Sequence, residues 1–132
     1  MKPKLNIITL AVNDLEKSLA FYKDGLGLPT KGLLKGADHV IFEMEGDLSF
    51  VLYLRSELEE FNQFNSVEKS SGVILSHAAE SKEEVDSILK NATEFGGTLL
   101  PNQPKEYDWG YSGSFKDLDG HIWEIVYFNL SE

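Results

Sequence analysis

The sequence predicts an α+β fold of two βαβββ modules. Three observations carry that reading: strand and helix signals recur in the same order twice, each helix opens on a side-chain cap, and each module ends in a hairpin with Gly-Asp or Asp-Gly turn chemistry. Residues 5–12 are β-branched and apolar, as suits a strand at a sheet centre. Asn13, with Glu16 three residues on, can cap a helix over about 14–24, in which Leu15, Leu19, Tyr22 and Leu26 make one apolar stripe. Gly25 or Gly27 ends it, and Pro29 confirms the break. Strands follow at about 28–34, 39–45 and 48–55, the last two joined by a tight turn at Gly46-Asp47.

The polar stretch 56–71 reads as a connection, with room for one short helix. The pattern then restarts. Residues 73–79 form a strand, and Ser81 with Glu84 repeats the capping signal. Val85, Ile88, Leu89 and Ala92 form a second stripe that stops at Gly96-Gly97. A short extended piece at 98–100 precedes a proline-containing loop at 101–107. The last strands, 111–116 and 121–128, are joined by the turn Asp117-Leu118-Asp119-Gly120. The repeat is about 65 residues long and rests on the order of elements rather than on matching letters. The expected organisation is one domain over 1–132, with module 1 at about 3–56, a connection at 57–71 and module 2 at about 72–129. On pattern alone, a duplicated ferredoxin-like unit is the competing arrangement.

A chain of 132 residues with 42% hydrophobic and 11% aromatic content can bury a core. Its formal charge of −10 would repel a phosphate backbone, so nucleic acid is not expected as a partner. The absence of cysteine excludes disulfides, thiolate metal sites and a cysteine nucleophile. No window approaches the ~20 apolar residues of a membrane span, and a cytoplasmic location is the expectation.

Two segments carry a family resemblance. Residues 10–22, read as Leu-Ala-Val-Asn-Asp-Leu-Glu-Lys-Ser-Leu-Ala-Phe-Tyr and followed by Gly25-Leu26-Gly27, resemble the opening motif of the vicinal oxygen chelate superfamily, which includes glyoxalase I, the bleomycin resistance proteins and the extradiol dioxygenases. Gly110-Tyr111-Ser112-Gly113, followed by Asp117 to Glu124, resembles its closing motif. The resemblance implies mixed sheets curved around one small-molecule cavity with the helices outside. It also implies a homodimer, and a divalent metal held by His, Glu or Gln from the first and last strands of each module. Carried over residue by residue, the ligand positions fall on Ile7, Phe50, Ile74 and Glu124. Three of the four are hydrocarbon, so the expected metal set is none and no cofactor is expected.

If those four face inward, alternation adds Thr9, Leu52, Ser76, Ile122 and Val126 to the cavity and turns Leu10, Tyr53, Leu75, Trp123 and Ile125 toward the helices. Glu124, amid apolar neighbours, is the candidate catalytic or anchoring residue. A strand-edge carboxylate paired with a lysine or a backbone donor is the plainer alternative. Trp109, Tyr111 and Tyr107 can line the cavity mouth and stack on a flat or cationic ligand, or Trp109 can plug the core or an interface. His39, His77 and His121 read as structural. The resulting expectation is a metal-free binder of a small molecule in a largely apolar cavity, with Ile7, Thr9, Phe50, Leu52, Ile74, Ser76, Trp109 and Tyr111 contacting the ligand. Two alternatives stand beside it: a metal-dependent lyase, isomerase or dioxygenase, and a metal-free enzyme with Glu124 as base.

Overall fold

The computed structural model describes residues 3, 5–57 and 73–129. The expected connection therefore lies almost wholly outside the described residues. Two compact units divide the chain, Met1–Lys69 and Ser70–Glu132. Among the described residues, no helix is long and apolar enough to cross a membrane.

In the first unit β1 (Ile7–Val12) leads into α1 (Leu15–Leu19), which widens into a π-helical turn over Ala20–Gly25. Two strands follow, β2 (His39–Glu43) and β3 (Ser49–Leu54). The sheet is mixed, in the order β1-β3-β2, with β1 parallel and β2 antiparallel to β3. Asp14, not Asn13, caps α1, accepting from the Lys17 backbone N–H at 3.0 Å. The Asn13 side chain is engaged elsewhere, accepting from Arg55 Nε at 3.0 Å, and Arg55 also donates to the Ala11 carbonyl. The helix closes over Gly27, whose φ of 75° suits a residue without Cβ, with Leu28 N–H reaching back to the Tyr22 carbonyl at 3.0 Å.

The strand expected at 28–34 shrinks to a single antiparallel bridge, Thr30 with Phe42 on the outer edge of β2. Pro29 has no N–H to give to a ladder, and the chain turns away directly after Thr30 as Gly32 N–H bonds the Thr30 hydroxyl at 3.1 Å. Phe21, Tyr22, Phe42 and Phe50 form the aromatic centre of this unit, with Tyr22 edge-on to Phe50 at 5.1 Å and to Phe42 at 6.1 Å.

The second unit repeats the logic. β4 (Ile74–Ala78) leads into α2 (Lys82–Glu94), and Ser81 caps the helix by accepting from Glu84 N–H at 3.0 Å. The long strands β7 (Gly110–Lys116) and β8 (Ile122–Phe128) pair antiparallel, and β4 lies parallel to β8. β5 (Thr98–Leu99) and β6 (Lys105–Tyr107) both pair antiparallel with β7. Residues 105–107, expected as loop, are thus strand. The chain bulges over 100–104 through a cis Gln103-Pro104 bond and then rejoins the same partner.

The Asp117 turn is built as its sequence suggests, one carboxylate oxygen accepting from the N–H groups of Asp119 and His121 at 2.9 and 2.8 Å. Val85, Leu89 and Ala92 of α2 are buried, as are Phe115, Trp123 and Ile125, which lie on a single face of the sheet. Taken unit by unit, the architecture is α+β, with two open mixed sheets in the order that two βαβββ modules require.

Candidate functional site

Directly paired residues share a sheet face, so the β4-β8-β7 register fixes the company of Glu124. Ser76 lies opposite it in β4 and Ser114 in β7. One step along the same face stand Ile74, Ile122 and Lys116, and one step the other way Ala78, Val126 and Ser112. Ser76 Oγ donates to Glu124 Oε1 at 3.1 Å, and Ser112 Oγ to Oε2 at 3.4 Å. The carboxylate is therefore held from strands on both sides, and each oxygen retains a lone pair for a further donor. Apolar Ile122 and Val126 flank it along β8, and the face runs from half-buried at Glu124 to open at Ile74 and Ser76. Sequence alternation along β4 and β8 places these residues correctly. It passes over Ser112 and Ser114, although counting back across the Asp117 turn would have paired Ser114 with Glu124.

At one end of this face an aromatic group gathers. Tyr107 and Trp109 stack in parallel at 4.7 Å, Trp109 lies 6.0 Å from Phe128, and Lys105 Nζ sits 5.9 Å from the Tyr107 ring centre. Tyr107, Gly110 and Phe128 form one cross-strand row. Gly110 cannot carry a side chain, since a Cβ there would lie 2.0 Å from the Tyr127 carbonyl oxygen. Trp109 and Tyr107 remain well exposed rather than plugging a core.

Tyr111 does not belong with them. Its place in β7 turns it to the other face, where its hydroxyl donates to Asp86 of α2 at 2.7 Å. That bond, with burial, pushes the phenol up to about 12. Lys82 Nζ stands 5.9 Å from its ring and pairs with Glu106.

In the first unit the register overturns part of the expected face. Ile7 and Thr9 pair with Ser49 and Val51, whereas Phe50 and Leu52 pair with Ile8 and Leu10 and pack on the α1 side. Tyr53, expected to face the helix, instead lies in the row of Ala11 and His39. The cause is that Phe50, Val51 and Leu52 are all buried, at 2%, 8% and 0% exposure, so the run carries no alternation to read. Ile7 is 62% exposed and Ile74 60%.

The donors around Glu124 are serine hydroxyls, neutral oxygens without an imidazole among them. Among the described residues, no three His, Asp or Glu side chains are grouped to hold a metal ion. Within this unit the serine hydroxyls beside Glu124 do not fit the nitrogen and carboxylate ligands that the resemblance implies for a divalent ion.

The sequence pattern of the Glyoxalase/Bleomycin resistance protein/Dioxygenase superfamily matches residues 4–125. The chain is 33% identical over 131 residues to the uncharacterized protein YraH of Bacillus subtilis, covering 92% of this chain and 96% of that one. It is 29% identical to the metallothiol transferase FosB of Lysinibacillus sphaericus, over 92% of this chain and 79% of the other. Among solved structures, a glyoxalase-related enzyme from Fulvimarina pelagi superposes with a TM-score of 0.83 at 27% identity, covering 95% of this chain and 88% of that one.

Proposed function

Starting from the fact that the chain belongs to the Glyoxalase/Bleomycin resistance protein/Dioxygenase superfamily, we propose that it binds a small molecule on the Glu124 face by hydrogen bonding and apolar contact, without a transition-metal ion. The observation that carries this reading is the Ser76–Glu124–Ser112 arrangement: a carboxylate oriented by two hydroxyls on a largely apolar strand, with hydrocarbon at Ile74, where the resemblance implies a metal ligand. A ligand N–H or O–H docks on Glu124, and Ile122 and Val126 take its apolar part. Trp109 and Tyr107 offer flat surface for a ring or a cation. The same carboxylate can act as base for a proton next to a carbonyl. We further propose a homodimer, because β1 and β4 lie at sheet edges. A monomer alone in sedimentation at micromolar concentration overturns that part.

The similarity to FosB, named a metallothiol transferase, favours a second reading in which the chain is a metal-dependent lyase, isomerase or dioxygenase. Metal analysis of protein purified without chelator separates the two, run beside a thermal-shift screen over zinc, nickel, manganese and small molecules on wild type and Glu124→Gln. The first reading expects under about one tenth of an equivalent of metal, little stabilisation by the ions, and small-molecule shifts that Glu124→Gln alters. Stoichiometric metal that Glu124→Gln releases promotes the second.

A further inference from the structure

The serine hydroxyls around Glu124 set the kind of group its carboxylate can receive. A carboxylate only accepts, so the hydroxyl hydrogens of Ser76 and Ser112 are turned toward Oε1 and Oε2, at 3.1 and 3.4 Å. With its hydrogen committed in this way, Ser76 Oγ shows a ligand its lone pairs alone. Ser112 is buried and steadies the carboxylate, whereas Ser76 is exposed and Glu124 half-buried. The open side of the pair thus presents two acceptors 3.1 Å apart, Glu124 Oε1 and Ser76 Oγ.

A primary ammonium fits that pair. It carries three N–H donors and no lone pair, so one nitrogen bonds both oxygens and leaves its third hydrogen to solvent. A hydroxyl brings one hydrogen and meets the second acceptor with its own lone pairs, and a carboxylate ligand brings none. The formal charge of −10 draws a cation to the protein from a distance.

Ile74 and Ile122 lie two residues along the same face, about 7 Å from the Ser76–Glu124 row, and Ile74 is 60% exposed. They offer apolar surface to a body attached to the ammonium. Lys116 ends that second row and is exposed, so water screens its charge, whereas Glu124 meets the ammonium in direct contact.

We propose that the Glu124 face, on the reading above that it is a ligand site, selects a primary amine with an apolar body, the ammonium bridging Glu124 Oε1 and Ser76 Oγ and the body lying over Ile122 and Ile74. The choice of a donor-only cation over an alcohol or an acid follows from where the two hydroxyl hydrogens already point.

The test titrates hexylamine, hexan-1-ol and hexanoate, three probes of one length, into the full chain at about neutral pH, where the amine is charged. Nuclear magnetic resonance follows the Glu124 carboxyl carbon and the methyl groups of Ile74 and Ile122. Hexylamine is expected to saturate, to move all three residues' signals, and to bind about tenfold tighter than hexan-1-ol, the size of one charge-assisted hydrogen bond. Hexanoate is expected to bind more weakly than either. Glu124→Gln abolishes the preference for the amine, and Ser76→Ala narrows it. Hexan-1-ol or hexanoate bound at these residues as tightly as hexylamine overturns the selection of an amine and leaves the Glu124 face standing as a ligand site. No saturable hexylamine binding at tens of millimolar also overturns the proposal. Hexylamine bound equally by wild type and Glu124→Gln, or stoichiometric metal on Glu124 in the same samples, overturns both this proposal and the reading beneath it.

Discussion

Leu89 Cδ1 of α2 occupies the place that a Cβ on Gly113 would take: a methyl built on that glycine would stand 2.4 Å from it and 3.3 Å from Pro104 Cα. Helix and sheet approach this closely only because β7 has no side chain there. Gly113→Ala is expected to destabilise the protein by about 1–3 kcal/mol through overpacking. Combined with Leu89→Ala, which alone costs about 2–5 kcal/mol, it should give less than the sum, since the truncated leucine leaves room for the methyl. Urea unfolding of the two single variants and the double variant checks this, and strict additivity would refute the steric account.

The Tyr111–Asp86 bond predicts a signature at high pH. The phenol is pushed up to about 12, chiefly by the Asp86 carboxylate that accepts its proton and then by burial. Because the folded value lies above the unfolded one of about 10, folding favours the protonated phenol. Its stabilising contribution is therefore complete below pH ~10 and is lost as pH rises toward 12. In ultraviolet titration Tyr111 should ionise late, at about pH 12, and Asp86→Ala should bring it back toward the ordinary value of a phenol. The stability gap between wild type and Asp86→Ala should close across the same window.

Phe50 and Ile7 should behave as opposites, although the resemblance gives them matching positions. Phe50→Ala removes a buried ring packed on Tyr22 and Phe42 and is expected to cost about 3–5 kcal/mol. Ile7→Ala, at a position 62% exposed, should stay within about 0.5 kcal/mol. Chemical denaturation measures both, and comparable losses would contradict the register of β1 on β3.

Glu124→Gln keeps a side chain of the same shape, and Ser76 and Ser112 can rotate their hydroxyls to suit it. Stability should change by no more than about 0.5 kcal/mol while ligand binding changes. A melting-temperature drop of many degrees would mean that the carboxylate holds the sheet together instead of serving a ligand.

The elements legible in the sequence are those built from near neighbours. The Ser81 cap, the Val85–Leu89–Ala92 stripe and the Asp117 turn each close within a few residues, so local chemistry decides them. The residues that share the Glu124 face were legible too, because the resemblance marks Ile74 and Glu124 as facing alike and the two-residue repeat of a strand then adds Ser76, Ile122 and Val126. Where the expectation slipped, a distant partner intervened. Arg55 takes Asn13 from 42 residues away and leaves Asp14 to cap α1, and β3, buried on both faces, takes its facing from β1.

The sequence by itself determined the strand-then-helix opening of each unit, the Ser81 cap, the Asp117 turn and the family, since these rest on backbone preference and spacing within short windows. Only the tertiary structure decided which side of β3 faces α1, that residues 28–34 give one bridge and not a strand, and that His39 stands locked between Asp38 and Tyr53. Those outcomes depend on strand register, and a shift of one residue turns every side chain to the other face at little local cost, so contacts far apart in the chain have to choose.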